Sequence, residues 1–168
     1  MSVDQWPTRM MQQNRIRLEE LKSLVDGISL DDEDISSEMS RFLVIRSCGY
    51  VEKVFEDCLI EFTRENSHSF VASHVISAFG KGSNARPSNL LGRAGNFNNA
   101  WKSELNEYFV QNENTKENML KLVEARNKIA HGDSDDTTKR TAIKLADVAL
   151  ELGDELIRII DPRMRHGE

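Results

Sequence analysis

From Ile35 to about Asn66 the sequence holds one unbroken pattern of helical period, and this run limits the folds open to the chain more than any other feature. Phe42, Leu43, Ile45, Tyr50, Val54, Phe55, Leu59 and Phe62 occupy most of its circumference. A helix that is apolar on nearly every side must be surrounded by other elements, so this segment is expected at the centre of the molecule. No segment alternates with the two-residue period of a half-buried strand. The fold class that follows is all-α, a bundle of about five or six helices.

The other segments fit around that centre. Met11, Leu18, Leu21, Val25 and Ile28 recur at helical spacing, giving a first helix from the Trp6 region to Gly27. A short amphipathic stretch, SFVASHVISAF, precedes GKGSNARPSN, the most loop-like part of the chain. LLGRAGNFNNAWKSELNEYF predicts a short helix, a turn at Gly95-Asn96 and a further helix to Phe109. Thr115 is the expected N-cap of a helix ending near His131-Gly132, and a last helix runs from Lys139 to about Ile160. At 168 residues a single domain is expected, with residues 1–30 as an N-terminal helix and 35–160 as the core.

Composition narrows the function classes. With 39% hydrophobic and 30% charged residues the chain is a globular mixture rather than a disordered one. A net charge of -6 gives no overall attraction for polyanions, so any nucleic-acid site must be local or completed by a partner. No apolar run suits a signal peptide or a membrane span, and the expected location is cytoplasmic. Cys48 and Cys58, ten apart in one helical pattern, cannot reach each other and are expected as reduced thiols.

One helix carries an anomaly. In EARNKIAH, at about 100° per residue, Met119, Leu122, Val123, Ile129 and Ala130 fall in one arc with Arg126 near its centre. Asn127 and His131, four apart, share the next strip with Leu120. A guanidinium keeps its charge, and removing it from water unpaired costs several kcal/mol. The position therefore implies either an internal salt bridge or an anion pocket.

A second arginine raises the same question. Arg46 falls among Ile35, Met39, Phe42, Leu43 and Tyr50, inside an apolar arc, whereas Glu52 lies on another flank near Ile45, Phe55 and Leu59. Arg46 either pairs with a carboxylate from another helix or converges with Arg126 on one phosphate, whose geometry suits guanidinium forks.

RNKIAH resembles the R-N-x-x-x-H form of the Rx4-6H motif of the HEPN superfamily. FLVIRSCGYVEKVFEDCLIEF is similar to the long early helix, and NLLGRAGNFNNAWKSEL to the segment before the motif helix, of the bacterial RiboL-PSP and MAE-type HEPN proteins associated with toxin–antitoxin and defence systems. The resemblance covers roughly residues 35–160. It implies a helical domain that forms a homodimer with both motifs facing one cleft, and metal-independent endoribonuclease activity as a toxin or antiviral-defence effector.

Carried over by that resemblance, Arg126 holds the scissile phosphate, His131 exchanges a proton with the 2′-hydroxyl or the leaving oxygen, and Asn127 orients one of them. Arg46 is an auxiliary phosphate contact. The products are a 2′,3′-cyclic phosphate and a 5′-hydroxyl. RNA is the substrate, an antitoxin or defence-system protein is the expected partner, and no cofactor or metal is required. The alternative is a catalytically inactive HEPN module that dimerises and binds RNA, nucleotide or protein within such a complex.

Other motifs give nothing stronger. GKGSN lacks P-loop spacing, although Lys81 and Arg86 in that loop are placed to help hold substrate. His68, His74, His131 and His166 form no zinc pattern, and His74 reads as a core-edge residue. The acidic runs Asp31–Asp34 and Asp133–Asp136 lack the glycine and glutamate of a calcium loop. The tryptophans and phenylalanines are not interleaved with basic residues and read as core or interface.

Overall fold

A computed structural model describes residues 5–29, 31–79, 84–133 and 135–163. They form seven helices: α1 (Arg9–Asp26), α2 (Glu33–Asn66), α3 (Ser69–Ser77), α4 (Pro87–Phe97), α5 (Asn99–Gln111), α6 (Glu113–His131) and α7 (Lys139–Ile159). Among the described residues there is no strand, and no helix is long and apolar enough to cross a membrane.

The central role expected of the long pattern is met: α2 packs on α7, α1, α6 and α3. Leu43, Val44, Cys48, Val51, Val54, Phe55 and Leu59 are fully or almost fully buried along it. Three of its buried hydroxyls are satisfied within the helix. Ser40, Ser47 and Thr63 each donate to the carbonyl four residues back, on Ser36, Leu43 and Leu59, at 2.6–2.7 Å. The heaviest packing is with α7, which presents Leu145, Ala149, Leu152 and Leu156. There Gly153 lets α7 approach Tyr50 closely, since a Cβ at that position would lie 2.6 Å from the tyrosine Cε1.

α1 closes the other side. Thr8 caps it by accepting from the Met11 N–H at 3.3 Å, so the helix begins at Arg9 rather than near Trp6. Trp6 anchors the preceding segment by donating from Nε1 to the Ile157 carbonyl at 3.0 Å. Lys139 Nζ donates to the carbonyls of Asp26 and Ile28, tying the end of α1 to the start of α7.

The count of seven exceeds the five or six expected because the short amphipathic stretch is a helix of its own, α3, while α4 and α5 are the two helices expected on either side of a turn. The break is at Asn98 rather than Gly95-Asn96. Asn98 is extended (φ -155, ψ 123) and its side chain caps α5 by accepting from the Ala100 N–H at 2.8 Å. Gly95 stays helical and serves close packing, since a Cβ there would meet Lys102 Cδ at 2.8 Å. Thr115 also differs from expectation. α6 starts three residues earlier, after Asn112, and Thr115 is buried within its first turn.

Candidate active site

α6 positions the motif by ordinary helix physics. Met119, Leu122 and Val123 are buried against the core, so the stripe is fixed inward. The helix stops where Gly132 takes the left-handed conformation (φ 74, ψ 16). Gly132 N–H donates to the Ile129 carbonyl at 3.2 Å and Asp133 N–H to the Lys128 carbonyl at 2.9 Å, the paired bonds of a glycine-terminated helix. This termination leaves His131 as the last helical residue, exposed at the helix end.

Arg126 is half-buried and leans toward α2. Its Nη1 donates to Asn127 Oδ1 at 3.0 Å, and among the described residues it forms no salt bridge. Asn127 is thus turned to the guanidinium and half-buried beside it. Lys128 is exposed on another face, as its spacing predicts.

Facing Arg126 from α2 are Glu52 and Cys48, whose Sγ donates to Glu52 Oε1 at 3.8 Å. The backbone N–H of Ala85, just before α4, also reaches both groups. Burial raises the Glu52 carboxyl above its ordinary range, and the positive charge of Arg126 only partly opposes that rise. Burial, and then the Glu52 charge, push the Cys48 thiol up to about 12, again with Arg126 opposing. A carboxylate locked to a guanidinium would instead be held below its ordinary value. Glu52 thus faces Arg126 without forming a salt bridge to it among the described residues.

The site therefore joins Arg126 and Asn127 to Glu52, Cys48 and the Ala85 backbone, with His131 at the adjoining helix end. It does not include Arg46. That side chain is exposed, as are Ile35, Phe42 and Ile45, and it lines a cleft between α1 and α2 with Asn14, Gly49 and Lys53. The expectation of an inward-facing Arg46 fails because α2 is so apolar around its circumference that its outward arc resembles an inward one. Glu52 had a signal in the sequence that spacing alone did not weigh: it is a carboxylate on a buried stretch of α2 that needs a cation or a proton.

The remaining candidates scatter. Arg86 precedes α4, whose first turn begins with Pro87, while Lys81 and His166 lie outside the described residues. His74 is exposed rather than at the core edge, and His68 stacks on Phe70 with ring centroids 5.6 Å apart. Cys48 and Cys58 are both free and buried.

The profile of the RiboL-PSP-HEPN family matches residues 12–162, from the first turn of α1 to just past the end of α7. The chain belongs to the RiboL-PSP-HEPN family. No curated protein and no solved structure matched it. For a chain of this family, the all-helical architecture fits a nuclease-like or RNA-binding module.

Proposed function

We propose that this HEPN domain is a metal-independent endoribonuclease, acting as a toxin or defence effector and paired with a neutralising partner protein. The observation that carries the reading is Arg126: a half-buried cation, oriented by Asn127 and without a salt bridge among the described residues, on the helix that ends at His131. Such a cation stabilises the charge that builds on a phosphate as it becomes pentacoordinate, without help from a metal.

In this mechanism the RNA 2′-hydroxyl attacks the adjacent phosphorus and the P–O5′ bond breaks, leaving a 2′,3′-cyclic phosphate and a 5′-hydroxyl. His131 takes the 2′-hydroxyl proton or returns one to the leaving oxygen, since an imidazole can do either near neutral pH. Arg126 holds the non-bridging oxygens. A second copy of the chain supplies the facing half of the cleft, so that one site has both a proton acceptor and a donor.

The silent-module reading is favoured by one observation, the carboxyl of Glu52 in front of Arg126, which can occupy the place of a phosphate. Purified protein incubated with RNA in excess chelator separates the two. The enzyme reading predicts cleavage with cyclic-phosphate ends, lost in Arg126→Ala and His131→Ala while both stay folded. Absence of cleavage by folded wild-type protein would leave the silent module.

A further inference from the structure

Two clefts run end to end between α1 and α2 and share Lys53. The first, of about 260 Å³, is lined by Asn14, Ile45, Arg46 and Gly49. The second, of about 650 Å³, is lined by Arg9, Gln13, Asp57 and Arg64. Asp57 and Glu61 in the second cleft are already paired, with Lys53 at 2.8 Å and Arg64 at 2.5 Å. Arg9 and Arg46 are exposed and form no ion pair among the described residues, so the groove carries excess positive charge on an acidic protein.

On α2 the lining of the groove lies around the helix from Glu52, the residue that faces Arg126. Around α2, at about 100° per residue, Glu52, Ile45, Gly49, Lys53 and Arg46 follow one another in steps of about 20–40°. Phe42, four residues before Arg46 and on the same side of α2, is 47% exposed, and single strands use such a pairing of stacking surface and cation. The surface at Gly49 is open, since a Cβ there would meet nothing within 4 Å. Arg46 and Arg64 stand about 27 Å apart along the helix, room for several nucleotides.

We propose that the α1–α2 groove carries the backbone of single-stranded RNA flanking the cleavage point, with Arg46 and Arg9 contacting phosphates and Phe42 stacking a base. This rests on the ribonuclease reading above. An acidic peptide fits less well, because it has no use for the exposed ring or the open floor at Gly49.

The test uses His131→Ala protein, which binds without turning over, and a single-stranded RNA of about 12 nucleotides, long enough to leave the site and enter the groove. Adding Arg9→Glu and Arg46→Glu should weaken binding about tenfold or more and reduce the slope of log affinity against log salt by about 1.4, at about 0.7 for each phosphate no longer neutralised. With His131 restored, the same two changes should leave cleavage of a dinucleotide untouched, since it reaches only Arg126. Circular dichroism checks that the variants fold.

If RNA is cut and bound with unchanged affinity and salt slope in the groove variant, the groove proposal is overturned and the ribonuclease reading stands. If dinucleotide cleavage falls equally, the two arginines act at the cleaved phosphate instead and the proposal is overturned. Loss of polyglutamate binding without loss of RNA binding would assign the groove to an acidic protein partner. RNA neither bound nor cut by the wild type would end both readings.

Discussion

Arg15 and Arg126 are both half-buried arginines on helices of one small bundle, and their surroundings are opposite. Arg15 is saturated. Its Nε and Nη2 donate to the two carboxylate oxygens of Asp154 at 2.8 Å each, and Nη1 pairs with Glu19. The hydrogen bonding to Asp154 is the largest influence on it and raises its pKa, outweighing its partial burial. Among the described residues Arg126 hydrogen-bonds one amide oxygen, and it faces a carboxyl that burial raises above its ordinary value. A structural arginine uses its donors within the fold, whereas an arginine held for a ligand keeps them in reserve.

The comparison breaks most decisively on activity. Arg126→Ala should lower RNA cleavage by about 10²–10³-fold, the usual loss when one stabiliser of transition-state charge is removed. Arg15→Ala should leave cleavage unchanged and lower stability by about 1 kcal/mol, the scale of a well-formed surface ion pair, read by chemical denaturation. Equal activity losses in the two variants would erase the distinction.

Packing changes away from the site should act on stability alone. Gly153→Ala drives a methyl into buried Tyr50 and should cost about 1–3 kcal/mol, measured by denaturant melts. Gly132→Ala forces a side chain into the left-handed region and should cost about 1–2 kcal/mol. Because it also alters the helix end that places His131, it should reduce cleavage beyond what the lower stability explains.

A smaller effect probes the field around Arg126. A carboxyl raised on folding, as Glu52 is, stabilises the fold while protonated. That contribution is complete below the unfolded value of about 4.5 and is lost as pH rises through the higher folded value. Glu52→Gln does not titrate. Its melting temperature relative to wild type should therefore climb as pH rises above about 4.5, and a flat difference would mean that Glu52 is not held up by burial. The smallest effect is a null one. Cys48, pushed up to about 12, and Cys58, raised further by complete burial, should not react with a thiol reagent near pH 8 until the protein is unfolded.

The fold was legible where a single physical signal dominated. The α2 run, the glycine stop of α6 and the amphipathic α7 lie within a few residues of expectation because period and left-handed glycine are local signals. The α4–α5 break was misplaced because Gly95, a breaker in sequence, is used for close packing, while a capping asparagine makes the turn. At the site, Arg126, Asn127 and His131 could be singled out because a cation on an apolar stripe is anomalous on its own helix. Glu52 and Cys48 were not visible as its neighbours, since which face of α2 meets α6 is decided by tertiary packing. The same ambiguity put Arg46 on the wrong side.

The central claim is that Arg126 is held ready for a phosphate. The most direct measurement is nuclear magnetic resonance of the arginine side-chain nitrogens during titration with a short oligonucleotide carrying a 2′-deoxy linkage, which binds but cannot be cut by the proposed route. The account predicts that the Arg126 guanidinium signals shift and slow their exchange on binding while those of Arg15 stay fixed. Saturating binding with Arg126 unmoved would contradict it.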